Sequence, residues 1–236
     1  MKNSKKDASN SQSPQKEGGH SCPPIHSPSP FFNPRSEIKT SGDHLPHWQQ
    51  EEVWIFLTWR LADSLPVEKV NEMKAERTAW LSRHPKPWSE ADEFEYHERF
   101  SRRFEDWLDQ GMGSCLLRKP GNGRIVANAI THFRGERYDL DSFVIMPNHV
   151  HVLFRPFGNQ SLEKIVQSWK GFSAREINRR SGRSGTLWQE NYWDRLVRNE
   201  RHLYRIREYI RENPVKAGLE RGEFIHECWG TGSIEK

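Results

Sequence analysis

The stretch "YDLDSFVIMPNHVHVLFRP", residues 138–156, constrains this chain more than any other. Two runs rich in Val, Ile and Phe flank the dipeptide Pro147-Asn148. Runs of that kind around a short turn read as two strands, 138–146 and 149–156. Side chains alternate along a strand, so His149 and His151 share a face while Val150 points into the opposite layer. Two neutral imidazoles side by side suit a shared divalent cation. Taken alone, so short a pattern fits ordinary polar residues on a half-exposed strand equally well.

The rest of the chain supplies the elements such a sheet needs. "VWIFLTW" (53–59) is aromatic, β-branched and short, hence a strand, and "GRIVANAITHF" (123–133) reads as another. "PVEKVNEMKAERTAWLSRH" (66–84) and "SEADEFEYHERFSRRFEDWLDQG" (89–111) read as amphipathic helices, the second capped by Ser89 and stopped at Gly111. The acidic face of the second is expected to be solvated. "LEKIVQSWKGFSAREINRR" (162–180) is a helix, and "ERHLYRIREYIREN" (200–213) is a last one, closed by Pro214. The order predicts an α+β domain: a ferredoxin-like antiparallel sheet with helices packed on one face.

Composition sets the outer limits. Residues 1–46 hold seven of the fourteen prolines amid Ser, Lys, Gly and Asn, too little apolar area to offset ordering entropy, so they read as a disordered basic tail. The expected organisation is one domain over 47–225, with a helical insertion at about 66–111 and a C-terminal tail at 226–236. Cys22, Cys115 and Cys228 are scattered and odd in number, which offers no disulfide framework and no cysteine zinc site. No apolar run approaches the length of a membrane span, and a cytoplasmic protein is expected.

The final helix adds a second chemical feature. Leu203, Ile206 and Ile210 form its apolar stripe, and Tyr209 and Asn213, four apart, line the strip beside it. Side chains on that border can reach a site at the sheet, although a tyrosine at a core margin and an asparagine at a helix end would look the same.

Together "FVIMPNHVHVLF" and "YIRENPVKAGL" resemble the two signatures of the single-tyrosine HUH transposases, in particular the REP-associated tyrosine transposases. The intervening "SWKGFSAREINRRSGRSGTLWQENYWDRLVRNERHL" is similar to that family's linking segment, and the resemblance spans roughly residues 45–220. It implies an HUH endonuclease architecture in which His149, His151 and Asn213 hold Mg²⁺ or Mn²⁺ and Tyr209 is the nucleophile. The implied reaction cleaves and rejoins single-stranded or hairpin DNA through a 5′-phosphotyrosine, by a monomer or a homodimer. A catalytically silent DNA-binding protein and a zinc hydrolase using His-x-His are the alternatives.

Charge agrees with a nucleic-acid partner. Residues 161–219 hold thirteen Lys and Arg against seven Asp and Glu, a net +6, while the whole chain carries +4, so the remainder sums to −2. Basic charge is therefore concentrated beside the proposed site. Lys170, Arg175, Arg195 and Arg198 are candidates for DNA-backbone contacts, and Trp188 and Tyr192 for stacking on unpaired bases.

Overall fold

A computed structural model describes residues 29–41, 47–85, 88–158 and 160–230 of the chain. The tail expected over 1–46 lies largely outside the described residues. Its described part, from Ser29 to Ser41, packs on the domain: Phe31 and Phe32 sit against the two sides of the core, and the Phe32 N–H donates to Val197 O at 2.8 Å.

A five-stranded antiparallel sheet forms the centre. Its strands are β3 (Ile55–Arg60), β4 (Tyr138–Ile145), β5 (His149–Pro156), β6 (Trp193–Leu196) and β7 (Ile225–Cys228), in the order β6-β3-β5-β4-β7. A two-stranded ribbon, β1 (Lys39–Ser41) with β2 (His47–Gln49), precedes it. Two helices, α4 (Pro120–Thr131) and α5 (Leu162–Ser181), cross between strands. The sequence β3-α4-β4-β5-α5-β6 with that strand order is the split βαβ arrangement of a ferredoxin-like fold.

The alternation of β5 divides the core. On one face Val150, Val152 and Phe154 join Leu57 and Trp59 of β3, and pack against Val126 and Ile130 of α4 and Ile165 and Trp169 of α5. On the other, Phe56, Val144, Met146 and Leu153 meet Leu203, Ile206 and Ile210 of α6 (Glu200–Lys216). The expected layer of helices on one face is thus α4 and α5, while α6 covers the opposite face, the one that carries both histidines.

Three local readings are corrected. The strand expected at 123–133 is α4: Pro120 stands at its first turn, and Val126, Ala127 and Ile130 recur at helical spacing. The last helix runs through Pro214 to Lys216, because the Asn213 and Pro214 side chains are buried under the sheet-facing turn. The tail expected from 226 begins later, since His226 to Cys228 pair with β4.

The insertion has a core of its own. Helix α1 (Val67–Arg83) brings Met73 and Trp80 against Tyr96, Phe100, Phe104 and Leu108. Those four residues lie on one continuous helical run: α2 (Glu90–Tyr96), a π-helical segment at His97–Arg102, and α3 (Arg103–Asp109). Among the described residues no helix is long and apolar enough to cross a membrane.

Candidate active site

The site is built where β5 meets α6. The two His Nε2 atoms stand 3.0 Å apart, in rings that are completely buried. Burial pushes the His149 pKa down to about 3 and that of His151 well below its ordinary value, so both rings are neutral at physiological pH.

Their other nitrogens are held. His149 Nδ1 lies 2.7 Å from Asn148 Oδ1, and the Asn148 amide N–H₂ donates to Leu108 O (3.2 Å) and Met112 O (3.1 Å). Those two bonds orient the amide so that its oxygen faces the imidazole, which places the His149 proton on Nδ1 and leaves Nε2 a lone pair. His151 Nδ1 lies 2.7 Å from Thr58 Oγ1, a hydroxyl able to donate or accept. Phe56 stacks on the His151 ring at 5.5 Å, which fixes its plane.

From α6, the Tyr209 hydroxyl reaches within 3.4 Å of His151 Nε2. Its ring meets Phe56 edge-on at 5.8 Å and His151 at 5.1 Å. One turn further on, Asn213 is fully buried, and neither its amide oxygen nor its nitrogen has a hydrogen-bond partner among the described residues. An orphaned amide is costly, and Asn213 lies near Asp109, which stands 3.7 Å from His149 Nε2, so the amide and the two imidazoles could together hold a cation. Two donors about 2.0–2.2 Å from one ion stand roughly 3–4 Å apart, a range that includes the His–His separation. Among the described residues no group of three or more His, Cys, Asp and Glu forms a metal cage; the set here is two imidazoles and an amide.

Helix α6 is pinned over these residues by Arg207. Its Nε donates to both carboxylate oxygens of the buried Asp141, at 3.1 and 3.0 Å. Asp141 lies where the β4 register slips against β5, between Leu140 and Ser142; such a bulge re-aims a side chain. Asp141 therefore serves α6, and Asp139 pairs with Arg155. The ring nitrogens of the histidines meet Asn148 and Thr58 instead.

Two carboxylates complete the site, and sequence reasoning had left both on a solvated face. Asp109 Oδ1 is buried, without a hydrogen-bond partner among the described residues, 3.7 Å from His149 Nε2. Burial is the main cause that raises its pKa to about 6. Glu105, one turn earlier on α3, lies near Tyr209, and burial raises its pKa to about 7. Tyr209 itself is held well above its ordinary pKa by burial and by these two acids. The available signal was the i,i+4 spacing of Glu105 and Asp109 beside buried Phe104 and Leu108.

The other expected contacts divide. Arg195, half-buried on β6, faces Glu105 and Tyr209 and lies 3.1 Å from His97 Nδ1 through its Nη2. Exposed Arg198 stands near it. Lys170 donates to Gln189 O and Glu190 O from α5, and Arg175 is exposed on that same helix. Trp188 and Tyr192 are buried in the core on the α4/α5 face, Trp188 donating to Ser173 Oγ at 3.0 Å; burial removes them from base stacking. Of the remaining tyrosines, Tyr138 and Tyr96 are buried in the core and Tyr204 is exposed under Arg207, which leaves Tyr209 as the phenol at the histidines.

The sheet thus presents paired histidines to a helix-borne phenol, and the chain is similar to several known proteins. Residues 124–213, from within α4 to Asn213, match the family described as "Transposase IS200 like". Two curated proteins of Haemophilus influenzae are similar. One is described as "Putative REP-associated tyrosine transposase" (26% identical over 91 residues, 34% of this chain and 52% of that one). The other is uncharacterised (26% over 98 residues, 32% and 54%). The chain spans about half the length of these relatives. Among solved structures, a REP-associated tyrosine transposase bound to a REP hairpin aligns over 76% of this chain and 77% of its own, at 15% identity and TM-score 0.42. A transposase-like protein of Deinococcus radiodurans aligns over 78% and 98%, at 17% identity and TM-score 0.30.

Proposed function

We propose that this protein cleaves and rejoins single-stranded DNA, with hairpin-forming repeats as the substrate class, through a covalent 5′-phosphotyrosine on Tyr209. The observation that carries the reading is the placement of the Tyr209 hydroxyl 3.4 Å from a histidine nitrogen that is itself 3.0 Å from its twin. Phenol and histidines belong to one chain, which favours a tyrosine acting within its own subunit.

His149, His151 and Asn213 would hold Mg²⁺ or Mn²⁺, with the imidazoles already neutral and the amide without a geometric hydrogen bond among the described residues. A divalent ion bound there supplies positive charge against the phosphate oxygens as the transition state forms. Asn148 and Thr58 keep the imidazole lone pairs aimed. Phe56 and the Asp141–Arg207 pair hold the phenol for in-line attack on phosphorus. Arg195 adds a fixed cation beside the hydroxyl. The phosphotyrosine conserves the energy of the broken bond, so rejoining needs no ATP.

The test is incubation with a single-stranded hairpin carrying the repeats that flank the gene, with and without Mn²⁺, followed by a denaturing gel. A metal-dependent protein–DNA adduct is expected from the wild type and none from Tyr209→Phe, which keeps its affinity for the hairpin. Full cleavage by Tyr209→Phe sinks the reading.

One observation favours a second reading. Asp109 beside His149 supplies the carboxylate that a His-x-His zinc hydrolase needs. Zinc-dependent hydrolysis of nucleotides or peptides with no DNA adduct would select it.

A further inference from the structure

A guanidinium is buried on the histidine face of the sheet. Arg60 ends β3 directly across from His149 in the register with β5, as Thr58 stands across from His151 and Phe56 from Leu153. Cross-strand partners share a face, so Arg60 continues the row that carries both imidazoles. It is 6% exposed, and among the described residues it has no ion pair. Burial lowers its pKa to about 10, which leaves it a cation at neutral pH.

The contacts of Arg60 account for part of its fork and none of its charge. Nη1 donates to Ser64 Oγ at 2.9 Å and to Leu61 O at 3.4 Å, fastening the turn that follows β3. Both acceptors are neutral. Nε and Nη2 have no hydrogen-bond partner among the described residues. The Phe104 ring of α3 lies 5.6 Å from Cζ and helps to fix the plane. A buried charge is ordinarily paired, because leaving it without a counter-charge is costly. A fixed guanidinium with donors to spare suits the paired oxygens of a phosphate.

We propose that Arg60 binds a backbone phosphate of the DNA strand held at the histidines, next to the scissile one, an inference that rests on the function proposed above. The missing counter-charge then arrives with the substrate. Tyr209 meets the row at Phe56 and His151. Arg60 stands one pleat further along, about 7 Å, which assigns it a neighbouring phosphate and not the one under attack. Helix α3 covers both residues, with Phe104 against Arg60 and Asp109 Oδ1 3.7 Å from His149 Nε2. Admitting a strand to the buried histidines therefore opens the same cover over Arg60. The residue precedes the segment 124–213 that matches the transposase family, so its role is read from this chain's own geometry.

Hairpin affinity tests the assignment, measured by fluorescence anisotropy over a salt series in chelator, where no cleavage intervenes. Arg60→Met keeps an apolar stem under Phe104 and removes the charge. It is expected to bind about 10-fold more weakly, with a slope of log affinity against log salt shallower by about 0.7–1. Arg60→Gln keeps a donor for the turn and is expected to show the same shallower slope. Ser64→Ala removes the turn bond alone and is expected to keep the wild-type slope, since a purely structural contact releases no counterion. A folded Arg60→Met or Arg60→Gln with the wild-type slope overturns the proposal. Adduct formation by the wild type in Mn²⁺, followed in parallel, separates the two readings. No adduct removes the proposed function and this inference with it, whereas an adduct together with an unchanged slope in either variant removes only the role of Arg60.

Discussion

The Tyr209 hydroxyl stands 3.4 Å from His151 Nε2, joining α6 to β5 across the face of the sheet opposite α4 and α5. That contact depends on helix placement, and the Asp141–Arg207 pair provides it. Replacing Arg207 by Met leaves a buried carboxylate unpaired, and breaking a buried pair in this way costs about 3 kcal/mol. A lower midpoint in urea unfolding is expected, together with slower adduct formation. Unchanged stability would mean that the pair does not hold the helix.

Asn148 fixes the His149 tautomer through its bonds to Leu108 O and Met112 O. Asn148→Ala frees the ring to place its proton on Nε2. Mn²⁺ affinity, measured by calorimetry, is expected to fall about 10- to 100-fold while the fold is retained.

Glu105 makes stability depend on pH in a defined sense. Its carboxyl ionises near pH 4.5 when unfolded and near 7 when folded. Between those values the unfolded chain releases a proton that the folded protein retains, so this contribution to stability is full below about 4.5 and lost as pH rises through 7. In chelator-treated protein, Glu105→Gln is therefore expected to melt with the wild type at pH 4.5 and above it at pH 8, by on the order of 1–3 kcal/mol. Parallel melting curves at both pH values would contradict the burial of this acid.

Trp188 packs edge-on against Trp59 beneath α5. Trp188→Ala is expected to cost about 3–5 kcal/mol of stability, and hairpin affinity of the fraction that remains folded should not change. A selective loss of DNA binding would restore the stacking role that burial denies it.

Legibility in the sequence followed the rules that governed each element. Strand β5 was readable to the residue because the Pro147-Asn148 turn and strict alternation mark both ends and both faces. Helix α5 was nearly so, since Ser161 caps it and Gly182 closes it in a left-handed conformation. Helix α4 was not: Ile125, Val126 and Ile130 carry strand propensity, and only packing against the sheet decides for the helix. Tyr209 and the two histidines stood out because their spacing is local. Glu105 and Asp109 did not, because an acidic helix ordinarily faces water, and what draws these two inward is a sheet 40 residues further along the chain. Trp188 and Tyr192 erred the other way, their aromatic character serving the core.

The wide turn at His97–Arg102 has a geometric consequence for everything downstream of it. A π-helical turn takes one residue more than an α-turn, so its presence offsets the angular phase of α3 by about 100°. Winding the same residues as ordinary α-helix would swing both acids away from the phenol, whereas excising a single residue there, for example exposed Glu98, would let ordinary winding return with α3 in its present phase. The aim of both acids is in that sense geared through a spacer remote from the motifs, and the winding of that spacer sets which side chains mesh with them.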